Sequence, residues 1–151
     1  MAKRIFLPYR RRLAGGTEDW VADDLRVILV TTGHSSAVLD EFVTDITTLN
    51  EATGTGYVAG PGGSGRLALQ TKTVFQDDGG LIVRLRADNL LWLSLQNDIA
   101  SIVGAIVYRH VSGVDDSLNE LIVFDDENGF PFTPNGSNFE LTVPTTGLLT
   151  I

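Results

Sequence analysis

The apolar residues of this chain arrive in short runs cut by turn residues about every ten positions, and that rhythm constrains the fold more than any other feature. Leu25 to Thr31, Arg66 to Gln70, Thr73 to Gln76, Leu81 to Ala87, Leu90 to Gln96, Ser101 to His110, Leu121 to Phe124, Phe139 to Val143 and Leu148 to Ile151 are all of strand length. The breaks between them are Asp77-Asp78-Gly79-Gly80, Ser112-Gly113, Asp125 to Gly129 and Asn135-Gly136, all turn chemistry. Leu81, Val83, Leu85 and Ala87 alternate with Ile82, Arg84 and Arg86, the period-two signature of a strand with two different faces. Phe130-Pro131-Phe132 reads as a short edge piece. One helix is expected, short, because Val38, Leu39, Phe42, Val43 and Ile46 fall on one face at helical spacing. The expected fold class is therefore all-β, an antiparallel β-sandwich or small barrel with at most one short helix.

At 151 residues the chain has the size of one domain. We expect residues 17–151 to form that single β-sandwich-like domain and residues 1–16 a basic N-terminal arm. Lys3, Arg4, Arg10, Arg11 and Arg12 lie in the first twelve residues with no acid among them, so the rest of the chain is more acidic than the net −8 of the whole. Ile5, Phe6 and Leu7 supply apolar anchors between these cations, and Pro8 argues against a helix there. Such an arm can bind phosphates. An acidic body opposes that, and no basic and aromatic interleaving recurs later, so nucleic acid is disfavoured as its partner. The expected partner-binding residues are Lys3, Arg4, Ile5, Phe6, Leu7, Arg10, Arg11 and Arg12, docking on an acidic partner surface or across the chain's own fold, and ordered only in an assembly. From Glu51 to Gly65 the density of glycine predicts the most mobile internal loop, with Tyr57 to Ala59 as a strand fragment within it.

The absence of cysteine removes disulfides, thiolate metal sites and cysteine nucleophiles. No run is long and apolar enough to span a membrane, and no membrane partner is expected. His34 sits in a Gly-His-Ser-Ser turn and could pair with Asp40 and a serine, but a nucleophile elbow is missing. His110 reads as a sheet-edge residue. The acidic groups Asp77-Asp78, Asp115-Asp116 and Asp125 to Glu127 lack calcium-loop spacing and read as solvated turn acids. Gly60 to Gly65 departs from phosphate-binding loops, since Arg66 stands where Lys-Ser or Lys-Thr is needed. No catalytic residue, cofactor or metal ligand is expected, and the chain is not read as an enzyme. Trp20, Tyr57 and Trp92 are the residues a glycan would need as stacking platforms.

The order of several segments is informative together. Leu25-Arg-Val-Ile-Leu-Val30 is followed by Leu39-Asp-Glu-Phe-Val-Thr-Asp-Ile46 and Glu51-Ala-Thr-Gly-Thr-Gly-Tyr-Val-Ala-Gly60. Val103-Gly-Ala-Ile-Val-Tyr108, Asp115-Asp-Ser-Leu118 and Leu121-Ile-Val-Phe-Asp125 come next, and Pro134 to Leu141 and Gly147 to Ile151 close the chain. This order, over roughly residues 25–151, resembles a widespread group of small structural proteins of tailed bacteriophages encoded among head and tail genes. The resemblance implies a β-sandwich-like virion component without catalytic residues, assembled in the bacterial host cytoplasm. Its expected role is capsid decoration, a cement protein on the major capsid protein, with a neck, tail or head-fibre part or a carbohydrate- or receptor-binding module as alternatives. Other virion proteins are possible partners, and a homo-oligomer is expected, a trimer ahead of a dimer. The arm and the Gly60 to Gly65 stretch fall outside the pattern that carries the resemblance.

Overall fold

The computed structural model of the chain describes residues 3–151. Among the described residues ten strands form: β1 (Arg4–Ile5), β2 (Leu25–Thr31), β3 (Leu67–Ala68), β4 (Thr73–Asp77), β5 (Ile82–Arg86), β6 (Leu90–Trp92), β7 (Ile102–Arg109), β8 (Glu120–Asp125), β9 (Phe139–Leu141) and β10 (Leu149–Thr150). All pairings are antiparallel. A five-stranded sheet runs in the order β1-β8-β7-β2-β3, and two smaller sheets run β10-β5-β4 and β6-β9. The protein is all-β, with a single α-helix among the described residues, as the strand and turn rhythm predicts.

The central strands lack alternation because both of their faces are covered. Val27, Leu29, Ala105 and Val107 point into a core completed by Leu85, Leu90, Trp92, Leu141 and Leu149 of the smaller sheets. Ile28, Val30, Ile106 and Tyr108 point the other way, where Phe6, Val43 and Ile46 cover them. A strand buried on both faces needs a continuous apolar run, and Leu25 to Thr31 supplies one. Gly104 in β7 is required by close approach, since a Cβ there would stand 2.6 Å from the ring of Phe124 on β8.

The helix is not where hydrophobic spacing places it. Residues 38–46 form turns and one 3-10 turn at Val43–Asp45, whose Val43 and Ile46 lie over the central sheet. The α-helix, α1, is Leu7–Ala14, inside the expected arm. Pro8 falls in its first turn, where the missing N–H costs nothing, and Arg11 and Arg12 in its last turn meet the negative end of the helix dipole.

The arm is thus not an extension from a separate domain. Strand β1 pairs Arg4 with Phe124 and Ile5 with Val123. Phe6 and Tyr9 are fully buried, so the core begins at the N-terminal segment rather than near Trp20. Residues 1 and 2 of the expected arm lie outside the described residues.

Candidate functional site

The eight expected partner-binding residues divide by what they already hold. Lys3 Nζ donates to the Leu148 carbonyl at 3.0 Å and lies 3.7 Å from Asp125. An Arg4 nitrogen donates to Ser36 Oγ at 2.6 Å, and its guanidinium lies over the Phe124 ring. Ile5 packs against the core and Phe6 lies in it, its N–H bonded to the Ile122 carbonyl. Arg12 is buried in a knot of acids: Nε meets Glu18 at 2.6 Å, a second nitrogen reaches the Leu121 carbonyl at 2.8 Å, and Glu41 and Glu120 stand within 3.7 Å. Burial raises the Glu18 carboxyl above its ordinary value against the pull of Arg12. Lys3, Arg4, Ile5, Phe6 and Arg12 therefore serve the fold: of the two expected placements, these five take the one across the chain's own fold, and their contacts are internal.

Leu7, Arg10 and Arg11 remain at the surface. Leu7 is 49% exposed and its N–H bonds the Val38 carbonyl, which brings Leu39, 68% exposed, alongside it. Leu7, Pro8, Arg11 and Leu39 line a shallow groove of about 210 Å³. Arg11 reaches Glu41 at 2.7 Å yet stays mostly in solvent, and Arg10 is exposed one residue before it on α1. Helix α1 and the 33–50 excursion together build an apolar patch edged by Arg11, while Arg10 lines a separate groove with Leu13 and Ile151. The spacing of Val38 and Leu39 suggests burial, and the fold instead turns Leu39 outward.

The glycine-rich loop from Glu51 is organised around one buried arginine. Arg66 meets Glu51 through two bonds of 2.8 and 2.7 Å and Asp116 through two of 2.7 and 2.9 Å, with its guanidinium over Tyr108. Burial opposes the charge, but the two carboxylates outweigh it and hold Arg66 firmly protonated. Tyr57 Oη donates to Glu51 and accepts from the Leu29 N–H, and its ring lies on Gly65, where a Cβ would come within 2.5 Å. The loop expected to be the most mobile is tied to β2 and to the 111–119 loop. Sequence reading passed over Arg66 because its partners lie 15 and 50 residues away.

Of the two partners considered for His34, the serine is present and Asp40 is not. Its Nδ1 stands 2.9 Å from the Leu49 carbonyl and its Nε2 3.1 Å from Ser36 Oγ. The carbonyl fixes the tautomer, with the proton on Nδ1 and Nε2 accepting from the serine. Asp40 instead accepts from the Ala37 N–H at 2.7 Å, so no carboxylate orients the imidazole. Ser36 Oγ also accepts from Arg4, which ties β1 to the 33–50 excursion. These residues, with Ser35, Val103, Phe124 and Asp126, line an open cleft of about 490 Å³. The geometry permits a proton to pass between Ser36 and His34. It also places the serine oxygen under the Arg4 cation, where it serves as a clip.

The remaining candidates have structural occupations. His110 follows β7, and its Nδ1 lies 3.1 Å from the Tyr108 hydroxyl. Asp116 and Asp125 are not solvated turn acids. The first is held by Arg66, and the second is buried against Lys3, the Glu127 N–H and Asn128. Among the described residues no group of three acids or histidines is placed to hold a metal ion. Trp20, Tyr57 and Trp92 are all buried, and the two indole N–H groups donate to the Arg86 and Gly65 carbonyls, so none offers a face to a glycan. No helix among the described residues is long and apolar enough to cross a membrane.

Compared with protein-family models, curated proteins and solved structures, the chain matches none.

Proposed function

We propose that this chain is a structural protein of a tailed-phage virion, a decoration subunit that binds the major capsid protein and cements the shell. The observation that carries the reading is the Leu7–Leu39 patch with Arg11 at its edge. An exposed apolar centre with a cationic rim suits a flat protein surface bearing acids. The folded body behind it spends its buried polar groups on itself, chiefly around Arg66 and Arg12.

The order of segments that resembles tailed-phage structural proteins supports the same reading. Those segments make β2, the Glu51 loop, β7, the Asp116 turn and β8, the parts that build the central sheet and the Arg66 cluster. They speak for shared architecture. The docking patch lies partly in α1, outside them, where a contact surface is free to differ between relatives.

Quantitative mass spectrometry of purified particles tests the role. Copies in proportion to the capsid subunits support decoration of the shell. Copies matching a single ring or fibre assign the chain to the neck, tail or a head fibre, and absence from particles overturns the virion reading.

A further inference from the structure

We propose that two copies of this chain pair edge to edge through β4, in one register that the backbone and the charges select. Strand β4 ends the β10-β5-β4 sheet, and Thr73, Val74, Phe75 and Gln76 are all exposed. The edge carries no proline and no bulge, and its charges stand at its two ends, Lys72 before it and Asp77 and Asp78 after, with Asp77 held by Arg84 of β5.

Which backbone groups are free follows from alternation along the ladders. Val83 exchanges both of its backbone bonds with Ile151 on the β10 side. Its neighbours Ile82 and Arg84 must then turn theirs toward β4, where they oppose Asp77 and Phe75. Thr73, Phe75 and Asp77 accordingly face β5, and Val74 and Gln76 direct their N–H and C=O groups outward. None of these four outward groups has a backbone partner among the described residues.

An antiparallel partner must oppose outward residues to outward residues. Three registers do this about a two-fold axis: one centred on Val74, one on Phe75 and one on Gln76. Only the register centred on Phe75 sets Lys72, which in the single chain donates to the Asp23 carbonyl, against Asp78 of the partner subunit, which in the single chain accepts from the Gln76 amide, so this pair forms twice by symmetry as those internal bonds are exchanged. It bonds Val74 to the partner subunit's Gln76 and places the two Phe75 rings side by side at a non-hydrogen-bonded position. Arg86 already lies 4.3 Å from the Phe75 ring centre, so this aromatic pair is capped by a cation on each side. Pairing also covers Val74, now 54% exposed on the side of β4 that faces the core. The contact is isologous and therefore closes as a dimer, the second of the two oligomers expected from the resemblance, which put a trimer first. It stands on the β4 geometry and does not depend on the virion reading.

A chain without cysteine gives a clean test. Opposed non-hydrogen-bonded residues have Cα atoms about 4.5 Å apart, within disulfide range. Phe75→Cys should form a covalent dimer on mild oxidation. Thr73→Cys should not cross-link to itself, but should do so when mixed with Asp77→Cys, its neighbour in the paired register. Gln76→Pro removes an outward N–H while leaving the β4–β5 ladder intact, so it should keep the native circular dichroism spectrum and weaken the dimer about tenfold or more in sedimentation velocity. A wild-type protein that sediments as a monomer at every concentration overturns the proposal. So does an oligomer in which Phe75→Cys cross-links no faster than Thr73→Cys alone.

Discussion

Arg66 and Glu51 meet as a planar fork, with Nε to Oε1 at 2.8 Å and a terminal nitrogen to Oε2 at 2.7 Å, and the arginine side chain is wholly buried. Asp116 takes a second fork on the same guanidinium. The cluster closes the two ends of the 51–66 loop on each other and fastens them to the 111–119 loop, so it does the work that a sheet ladder does elsewhere in the molecule. Replacing Arg66 with methionine leaves two carboxylates facing each other without their cation. The expected loss is about 3–5 kcal/mol, as for other buried pairs broken on one side. Urea unfolding of Arg66→Met against the wild type measures it. A loss within error would show that the cluster does not hold the loops.

The same cluster predicts acid sensitivity. Burial pushes the Asp116 carboxyl up, but Arg66 and the Asn119 amide overcome it and hold the group below its ordinary value. A carboxyl depressed in the folded state binds its proton more readily when unfolded. Its stabilisation is therefore full above the ordinary carboxylate range and is lost as pH falls through the depressed value. Asp116→Asn should be less stable near neutrality and show a shallower acid limb in the dependence of the unfolding midpoint on pH.

His34 acts in a higher window. Burial is the main reason that its pKa lies below the usual value near 6.5, and the Arg4 cation adds to this against the Leu49 carbonyl. The unfolded chain takes up a proton first, so the wild type should lose stability as pH falls from about 6.5, before Asp116 titrates. His34→Gln should reduce that slope between pH 7 and 5. An unchanged slope would assign it to His110, which is also depressed by burial.

The N-terminal segment is a part of the core. Phe6→Ala should cost about 3–5 kcal/mol, the range for a buried phenylalanine truncated to alanine. Removal of residues 1–12 deletes β1, most of α1 and the Arg12 knot together, and should leave a chain that does not fold cooperatively. A truncated protein with the wild-type unfolding midpoint would restore the segment to the status of a loose arm.

Gly65→Ala tests the packing of the loop. The added methyl meets the Tyr57 ring, which cannot retreat without breaking its bonds to Glu51 and Leu29. The expected loss is about 1–3 kcal/mol, typical of overpacking in a filled site. A thermal midpoint equal to the wild type would show that Tyr57 has room to move.

What could be read in advance was what local patterns encode. The strand runs and the turns at Asp77 to Gly80 and Asn135-Gly136 depend on neighbours in sequence, and each of the runs from Leu25 to Thr31 through Leu148 to Ile151 holds a strand, with β3, β6 and β9 shorter than their runs. Helix α1 was missed because Pro8 was weighed as a breaker when its place in the first turn makes it harmless. The apparent helix at 38–46 shows the converse: helical spacing of Val38, Leu39, Phe42, Val43 and Ile46 arose in an irregular segment that buries only Val43 and Ile46. The Arg12 and Arg66 clusters have partners up to 109 and 50 residues away, and nothing in the local sequence marks an arginine as destined for the interior. The eight residues first assigned to a partner reduced to three for that reason.

The central claim is that the Leu7–Leu39 patch seats this chain on a phage shell. A cryo-EM map of whole particles tests it directly. The account predicts density for the chain on the capsid surface, with Leu7, Leu39 and Arg11 against the major capsid protein. Density confined to the neck or tail, or a shell-bound chain with that patch in solvent, would contradict it.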